Sequence, residues 1–415
     1  MPSFLESVLE DFATNQSMRT IFIIVFAIIA ATIIFTLSPM IALTRNTPSA
    51  PKGGNKHDYD AEQGTRGSIQ DYINASNGGV TLDTPMVQLS VATANYGGIF
   101  PEGKTWLNPW MGHVDPEAVR LQIEAGARAV IFDIWPDPAN PAIPVVCAMK
   151  DANEWSSIGW WRGHGLDKGV GQYSNWQLTT RNKVAATDMI NMACSTAFGA
   201  MAPNVQTGDP FFLILRLHGA MTTDYLNYLG DAVKRALGEH RMETQWDSMK
   251  NQNAICSAKV REFMGRGFVI VSPDVQPTYN ILPNTTTYDS FRTQFLTTRM
   301  AEVTNVLESS PNTVFFGLGN LDAIGSATLA PCVAGAGPMT PAQAGFCIVQ
   351  PTIGGTTTSN DTQIGASVYQ KARQVGAQMV AINYFPPNTS SSHDAVLDAV
   401  MNPALFGKYS FKKGA

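Results

Sequence analysis

At 415 residues and 44% hydrophobic content, the chain is long enough for one large domain with additional segments and apolar enough to bury a full core. Its 28 Lys+Arg against 33 Asp+Glu give a formal net charge of -5, so no basic excess is available to neutralise phosphates and no nucleic-acid partner is expected. The five cysteines, Cys147, Cys194, Cys256, Cys332 and Cys347, lack the CxxC or Cys/His spacing of a structural zinc site. Cys332 and Cys347 bracket a Gly/Pro-rich loop and are either a disulfide in an oxidising compartment or buried free thiols.

In chain order, residues 1–20 form a short tail carrying Glu6, Glu10 and Asp11. Ile21 to Leu43 is an almost uninterrupted apolar run of about 23 residues, which at about 1.5 Å per residue crosses a hydrocarbon core about 30 Å thick. The expectation is one transmembrane helix over 21–43. A cleaved signal peptide is the competing reading, against which stand the length of the run and the acidic leader. Arg19 before the run and Arg45, Lys52 and Lys56 after it weakly favour a cytoplasmic C-terminal domain, and the side of the membrane stays open. Residues 44–82 turn to Pro, Gly, Asn, Lys and Asp, the composition of a flexible linker.

From residue 83 to 415, apolar strand-like runs alternate with helical patterns. The runs are Val87 to Thr93, Val130 to Trp135, Ile143 to Ala148, Phe211 to Leu217, Phe268 to Val271, Thr313 to Leu318, Phe346 to Val349 and Met379 to Asn383. One helix is marked by Asp115 as N-cap, Pro116 in its first turn and Gly126 as its stop. A second carries Leu226, Leu229, Val233 and Leu237 on one face and closes at Gly238, and a third runs from about Ile364 to Val375 before Gly376. Eight strands alternating with helices predict an α/β fold, a (β/α)8 TIM barrel with insertions, whose site lies at the C-terminal ends of the strands. That rule promotes Asn95, Asp133, Trp135, Asp137, Lys150, His218 and Asp274 to the rim.

The run Ala129 to Asp137 is central, because it ends in a carboxylate, an indole, a proline and a second carboxylate. Asp133 is either a ligand or metal anchor or a strand-end carboxylate satisfied by its neighbours. Trp135 either packs or stacks on a ligand. His218 is either an acid/base group or a hydrogen-bonded structural histidine. Asp274 reads as a turn residue, and His113, beside Asp115, as part of a helix entry. Trp155, Trp160 and Trp161, with Arg162 and His164, form a loop that either faces the membrane headgroup zone or folds back over the barrel. No phosphate loop, dinucleotide fingerprint, Gly-x-Ser-x-Gly elbow or HExxH is present.

Four stretches together resemble the catalytic barrel of phosphoinositide-specific phospholipase C, in the PLC-like phosphodiesterase superfamily. Ser90 to Tyr96 (SVATANY) is similar to that family's first strand, and Gly126 to Trp135 (GARAVIFDIW) to its Gly-x-Arg-x-Val-Glu-Leu-Asp-x-Trp strand. Phe211 to His218 (FFLILRLH) resembles its fourth strand, and Gln378 to Tyr384 with Tyr409 to Lys413 its last strand and closing segment.

The resemblance implies a phosphodiesterase chemistry that needs two histidines and a calcium ion held by Asn, Glu, Asp and Glu. Here the first histidine falls on Ala94 or Thr93. Pro144 to Lys150 (PVVCAMK) resembles the strand that carries the second, which becomes Ala148, and the calcium glutamates become Ile131 and His218. Only Asn95 and Asp133 survive as metal ligands, and calcium is expected only if the protein is active.

Losing two acid/base groups that each contribute about 10²–10⁴-fold leaves, as the leading expectation, a degenerate enzyme that binds a phosphoinositide or related lipid headgroup or serves as a structural membrane component. The alternative is an active phosphoric diester hydrolase with a rebuilt site using Asp133, His218 and His113. A single-pass protein of a viral or envelope membrane fits the composition, and no protein partner is legible.

Overall fold

The computed structural model describes residues 67–101, 112–151, 176–178, 180–199, 205–219, 221–244, 255–273, 285–308, 313–317, 346–350, 372, 377–382, 384, 406 and 409–413. All belong to the second of the two units into which the chain divides, Gly54–Ala415.

Eight parallel strands curl into one sheet: β1 (Leu89–Ala94), β2 (Ala129–Asp137), β3 (Phe211–Leu217), β4 (Gly267–Pro273), β5 (Val306–Leu307), β6 (Thr313–Gly317), β7 (Phe346–Gln350) and β8 (Met379–Ile382). Their spatial order is β5-β4-β3-β2-β1-β8-β7-β6, so strands adjacent in sequence are adjacent in space and β1 closes the series against β8. Among the described residues β5 and β6 are the two ends, with no ladder between them. This is a TIM-like α/β barrel, as the alternation of strand and helix predicts.

The expected number of strands is right and one member is not. Ile143 to Ala148 is no barrel strand: Asn140–Val146 folds back antiparallel on β2, with Ile134 opposite Val146 and Trp135 opposite Val145. The barrel position goes instead to β5, where two residues pair with Ile270 and Val271. An apolar run shows burial but not direction, and a two-residue strand has no period to read.

Seven helices are described: α1 (Ile69–Ala75), α2 (Pro116–Glu124), α3 (Ala186–Phe198), α4 (Thr223–Leu237), α5 (Val260–Phe263), α6 (Thr285–Phe295) and α7 (Arg299–Val303). The expected punctuation holds: the Asp115 carboxylate accepts from Glu117 N, and Gly126 and Gly238 take φ values of 103° and 51° beyond their helices. Gly230 lies mid-helix because a Cβ there would come within 2.4 Å of the α7 backbone at Met300. The helix expected over Ile364 to Val375 lies outside the described residues except at position 372.

Alternation along the strands divides the core. One side chain set, including Val130, Phe132, Leu213 and Leu215, packs outward against the helices. The other, including Ile131, Phe212, Ile214, Phe268 and Phe346, fills the barrel interior. Phe411 of Phe411–Lys413 pairs antiparallel with β1 opposite Val91 and joins this inner set, which is the closing role expected for Tyr409 to Lys413.

Residues 67–82 are not linker. Ser68 and Asp71 form a capping box on α1, Ile69 is fully buried, and Lys413 N donates to Tyr72 Oη at 2.8 Å. Ile69, with Tyr72 and Ile73 packed beside it, holds this helix to the barrel, too few apolar residues to alter a polar composition.

The helix is also held by Asp209, whose Oδ1 accepts from Ile69 N at 2.9 Å. Its other oxygen lies 3.7 Å from Arg128 Nε; both side chains are 2% exposed and neither atom has a hydrogen-bond partner. Burial pushes the Asp209 carboxyl up to about 6, offset in part by Arg128. A raised acid binds its proton in the folded state first, so its contribution is present at low pH and lost as pH rises through 6. Relative to Asp209→Asn, the wild type is therefore expected to gain up to about 1.4 kcal/mol per unit as pH falls from about 6 to about 4. Urea melts of both proteins across that range test this, and parallel curves would refute it.

Cys347 is a buried free thiol, as are Cys147 and Cys194, so a Cys332–Cys347 disulfide does not form; among the described cysteines, Cys256 is disulfide-bonded. The proposed transmembrane segment 21–43 lies outside the described residues, and among those described no helix is long and apolar enough to cross a membrane.

Candidate functional site

The strand ends carry a polar layer set by register. Asp133 on β2 is the Cα partner of Arg216 on β3, and Arg216 is in turn the partner of Ser272 on β4. Because all three strands run parallel and side chains alternate, these residues share one level and one face of the barrel. Glu308 follows β5 at the same level: its N–H donates to Val271 O at 2.7 Å, and its Oε2 accepts a short hydrogen bond from Ser272 Oγ.

Asp133 is the centre of the layer. It is 8% exposed, and its Oδ1 receives Arg216 Nη1 at 3.2 Å and His218 Nε2 at 2.8 Å. Burial alone would raise its pKa; the Arg216 charge and the His218 hydrogen bond outweigh burial and hold the carboxyl below the ordinary carboxylate range. Asp133 is thus ionised, which makes His218 Nε2 the donor in their hydrogen bond. The imidazole is further fixed by Trp135, stacked on it with ring centroids 4.3 Å apart and planes 10° from parallel. Trp135 and His218 are 3% and 4% exposed.

Tyr96 closes the layer from the turn after β1. Burial and then the Asp133 charge push its hydroxyl well above the ordinary phenol range, while Arg216 pulls it back. Its φ of 48° is unusual for a side chain with a Cβ. Gln122 of α2 reaches the carbonyls of Asn95 and Tyr96, at 3.4 Å each, and Asn95 itself is 3% exposed.

Of the residues promoted by sequence, Asp133, Trp135 and His218 meet directly, and Asn95 lies at the end of the neighbouring β1. His218 is hydrogen-bonded to Asp133, and Trp135 is stacked on the His218 ring. Asp137 does not join the rim, because the antiparallel hairpin turns it away; its Oδ1 accepts from Ala139 N and pairs with Lys183 Nζ at 2.9 Å. Lys150 is on a two-stranded ribbon, Met149–Asp151 with Trp176–Leu178, outside the barrel sheet. His113 is on another, Gly112–Val114 with Ile99–Pro101, its ring 5.3 Å from Phe100. Asp274 and the loop bearing Trp155, Trp160, Trp161, Arg162 and His164 lie outside the described residues.

Sequence reading missed Arg216, Ser272 and Glu308. Arg216 had a legible signal: a cation inside an apolar strand cannot be buried without a partner, and a carboxylate on an adjacent strand is the first place to seek one.

The residues present do not fit the calcium ion that the resemblance implies. A calcium bound to Asp133 at about 2.4 Å would lie within about 6 Å of the Arg216 guanidinium, which repels it by roughly 6 kcal/mol at an effective dielectric of about 20. Among the described residues, no three His, Cys, Asp or Glu side chains come together as a metal cluster.

No protein-family model and no curated protein matches the chain. Solved structures do. L. pealei PLC21 is similar over 81% of this chain, with 10% identity and a TM-score of 0.48, and this chain spans 38% of its length. A calcium-dependent phosphoinositol-specific phospholipase C from a Gram-negative Pseudomonas is similar over 80% of this chain and 96% of its own, with 9% identity and a TM-score of 0.40. A Ca+2 dependent phosphatidylinositol-specific phospholipase C from Streptomyces antibioticus is similar over 76% and 97%, with 9% identity and a TM-score of 0.36. At these values the likeness concerns architecture, and the site is read from this chain's own side chains.

Proposed function

We propose that the protein is a membrane-anchored, PLC-like barrel that has given up hydrolysis and binds a lipid headgroup, of phosphoinositide or related type, at its strand ends. The observation that carries this reading is the internal neutralisation of Asp133 by Arg216 and His218. A general base must reach a substrate proton, and this carboxylate and imidazole are 8% and 4% exposed and bonded to each other. The apolar run Ile21 to Leu43 is the proposed single-pass anchor, which brings the barrel to the bilayer without further contacts. The disulfide-bonded Cys256 favours an oxidising compartment for the barrel, against the weak flanking-charge argument. A virion or envelope membrane suits such a protein.

The second reading, an active phosphoric diester hydrolase, draws on one contact. Asp133 orients His218 at 2.8 Å as a carboxylate orients a catalytic imidazole.

The test is hydrolysis of phosphatidylinositol and of glycerophosphoinositol by the full-length protein in detergent, with calcium or EGTA, alongside flotation with phosphatidylinositol vesicles. Binding without turnover is the expected result. Turnover abolished in His218→Gln would establish the hydrolase instead.

A further inference from the structure

The polar layer contains a positive charge where the resemblance leads one to expect a metal. Four strands contribute in sequence a carboxylate, a guanidinium, a hydroxyl and a second carboxylate: Asp133, Arg216, Ser272 and, just after β5, Glu308. Arg216 is 6% exposed and set by its strand, so its position is fixed by the barrel and not by a flexible loop. Its guanidinium is tethered to the strand and cannot dissociate from the site as an ion does. It lies on Asp133, the surviving acidic ligand of the set that the resemblance implies, and its charge reaches the Tyr96 hydroxyl on β1's side of the layer.

We propose that Arg216 is a resident cation of the barrel mouth, taking by charge the place of a divalent metal at Asp133, so that both the fold and any oxyanion binding at the strand ends are independent of calcium. The metal and the guanidinium compete for one carboxylate. With Arg216 present, a divalent ion meets a neutralised Asp133 and a repelling neighbour. With Arg216 replaced by a neutral side chain, Asp133 keeps only its His218 hydrogen bond, and the repulsion that a divalent ion would meet at this carboxylate is gone. The oxyanion part of this inference rests on the headgroup reading, whereas the calcium part does not.

The experiment measures the melting temperature of the full-length protein in detergent with calcium or with EGTA, for wild type, Arg216→Lys, Arg216→Gln and Asp133→Asn. It pairs these with flotation on phosphatidylcholine vesicles containing phosphatidylinositol under the same conditions. Wild type and Arg216→Lys are expected to melt identically with calcium and with EGTA. Arg216→Gln is expected to melt lower in EGTA and to be partly restored by calcium. Vesicle binding by wild type is expected to be unchanged by EGTA and to weaken about tenfold or more in Arg216→Gln.

A wild-type melting temperature raised by calcium, with the rise lost in Asp133→Asn, would overturn the resident cation. This arm needs no folded Arg216 variant. An Arg216→Gln protein that folds, yet melts and responds to calcium as wild type does, would overturn it equally. If wild type binds no vesicles in any condition, the headgroup reading fails, while the melting data still decide the role of Arg216.

Discussion

Asp133→Ala is expected to lower the unfolding free energy by about 3–5 kcal/mol, because it leaves Arg216 buried without its carboxylate and removes the acceptor that holds His218. The loss is larger than the worth of the ion pair itself, since an uncompensated buried cation is the product. Asp133→Asn keeps an acceptor for His218 and should lose less. A double variant, Asp133→Asn with Arg216→Met, removes both charges and should be more stable than Asp133→Ala, the signature of coupling between contacting groups.

The pH dependence has a definite sign. The folded Asp133 carboxyl is held below its unfolded value, so its contribution is present above about 3.9 and is lost as pH falls through the folded value. Urea denaturation of the four proteins at neutral pH and in acid measures both effects. A loss in Asp133→Ala below about 1 kcal/mol would show that the layer does not depend on this carboxylate, and the site assignment would fall with it.

Phe212→Ala is the second large effect, at about 3–5 kcal/mol. The Phe212 ring lies inside the barrel with centroids 5.3 Å from Phe346, 5.5 Å from Phe268 and 5.9 Å from Phe263. These rings come from β3, β7, β4 and α5, so removing Phe212 opens a cavity shared by three strands and a helix. Collapse is restricted because the strands are held in parallel ladders on both sides. The same substitution at Phe291, which is 7% exposed on α6, should cost less. Chemical denaturation compares the two, and equal losses would refute the idea of an aromatic plug below the polar layer.

Much of the architecture was legible in local pattern. Helix α2 announces itself by Asp115, Pro116 and Gly126, and α4 by one apolar face closed at Gly238, because caps and periodicity are properties of adjacent residues. Asp133, Trp135 and His218 were placed at strand ends for the same reason: a buried run that stops at a polar residue locates that residue at an edge. The run Ile143 to Ala148 misled because apolarity is shared by barrel strands and by a return strand packed on the barrel's outside. Asp137 misled with it, since the hairpin that turns it toward Lys183 is a pairing decision made with Asn140–Val146. The helix at Ile69–Ala75 was lost in a polar segment whose anchors are far along the chain, Asp209 being 140 residues away.

The sequence by itself determined that the domain is a TIM-like alternation of strands and helices, with Asp133 toward the end of the apolar run of its central strand. Only the tertiary structure decided which strands complete the barrel and what faces Asp133. Register across β2, β3 and β4 brings Arg216 onto that carboxylate and Ser272 beside it, and no local pattern encodes a partner supplied by a neighbouring strand 83 residues later. Charge compensation at the barrel mouth is a long-range property, set by which side chains share one level of the sheet.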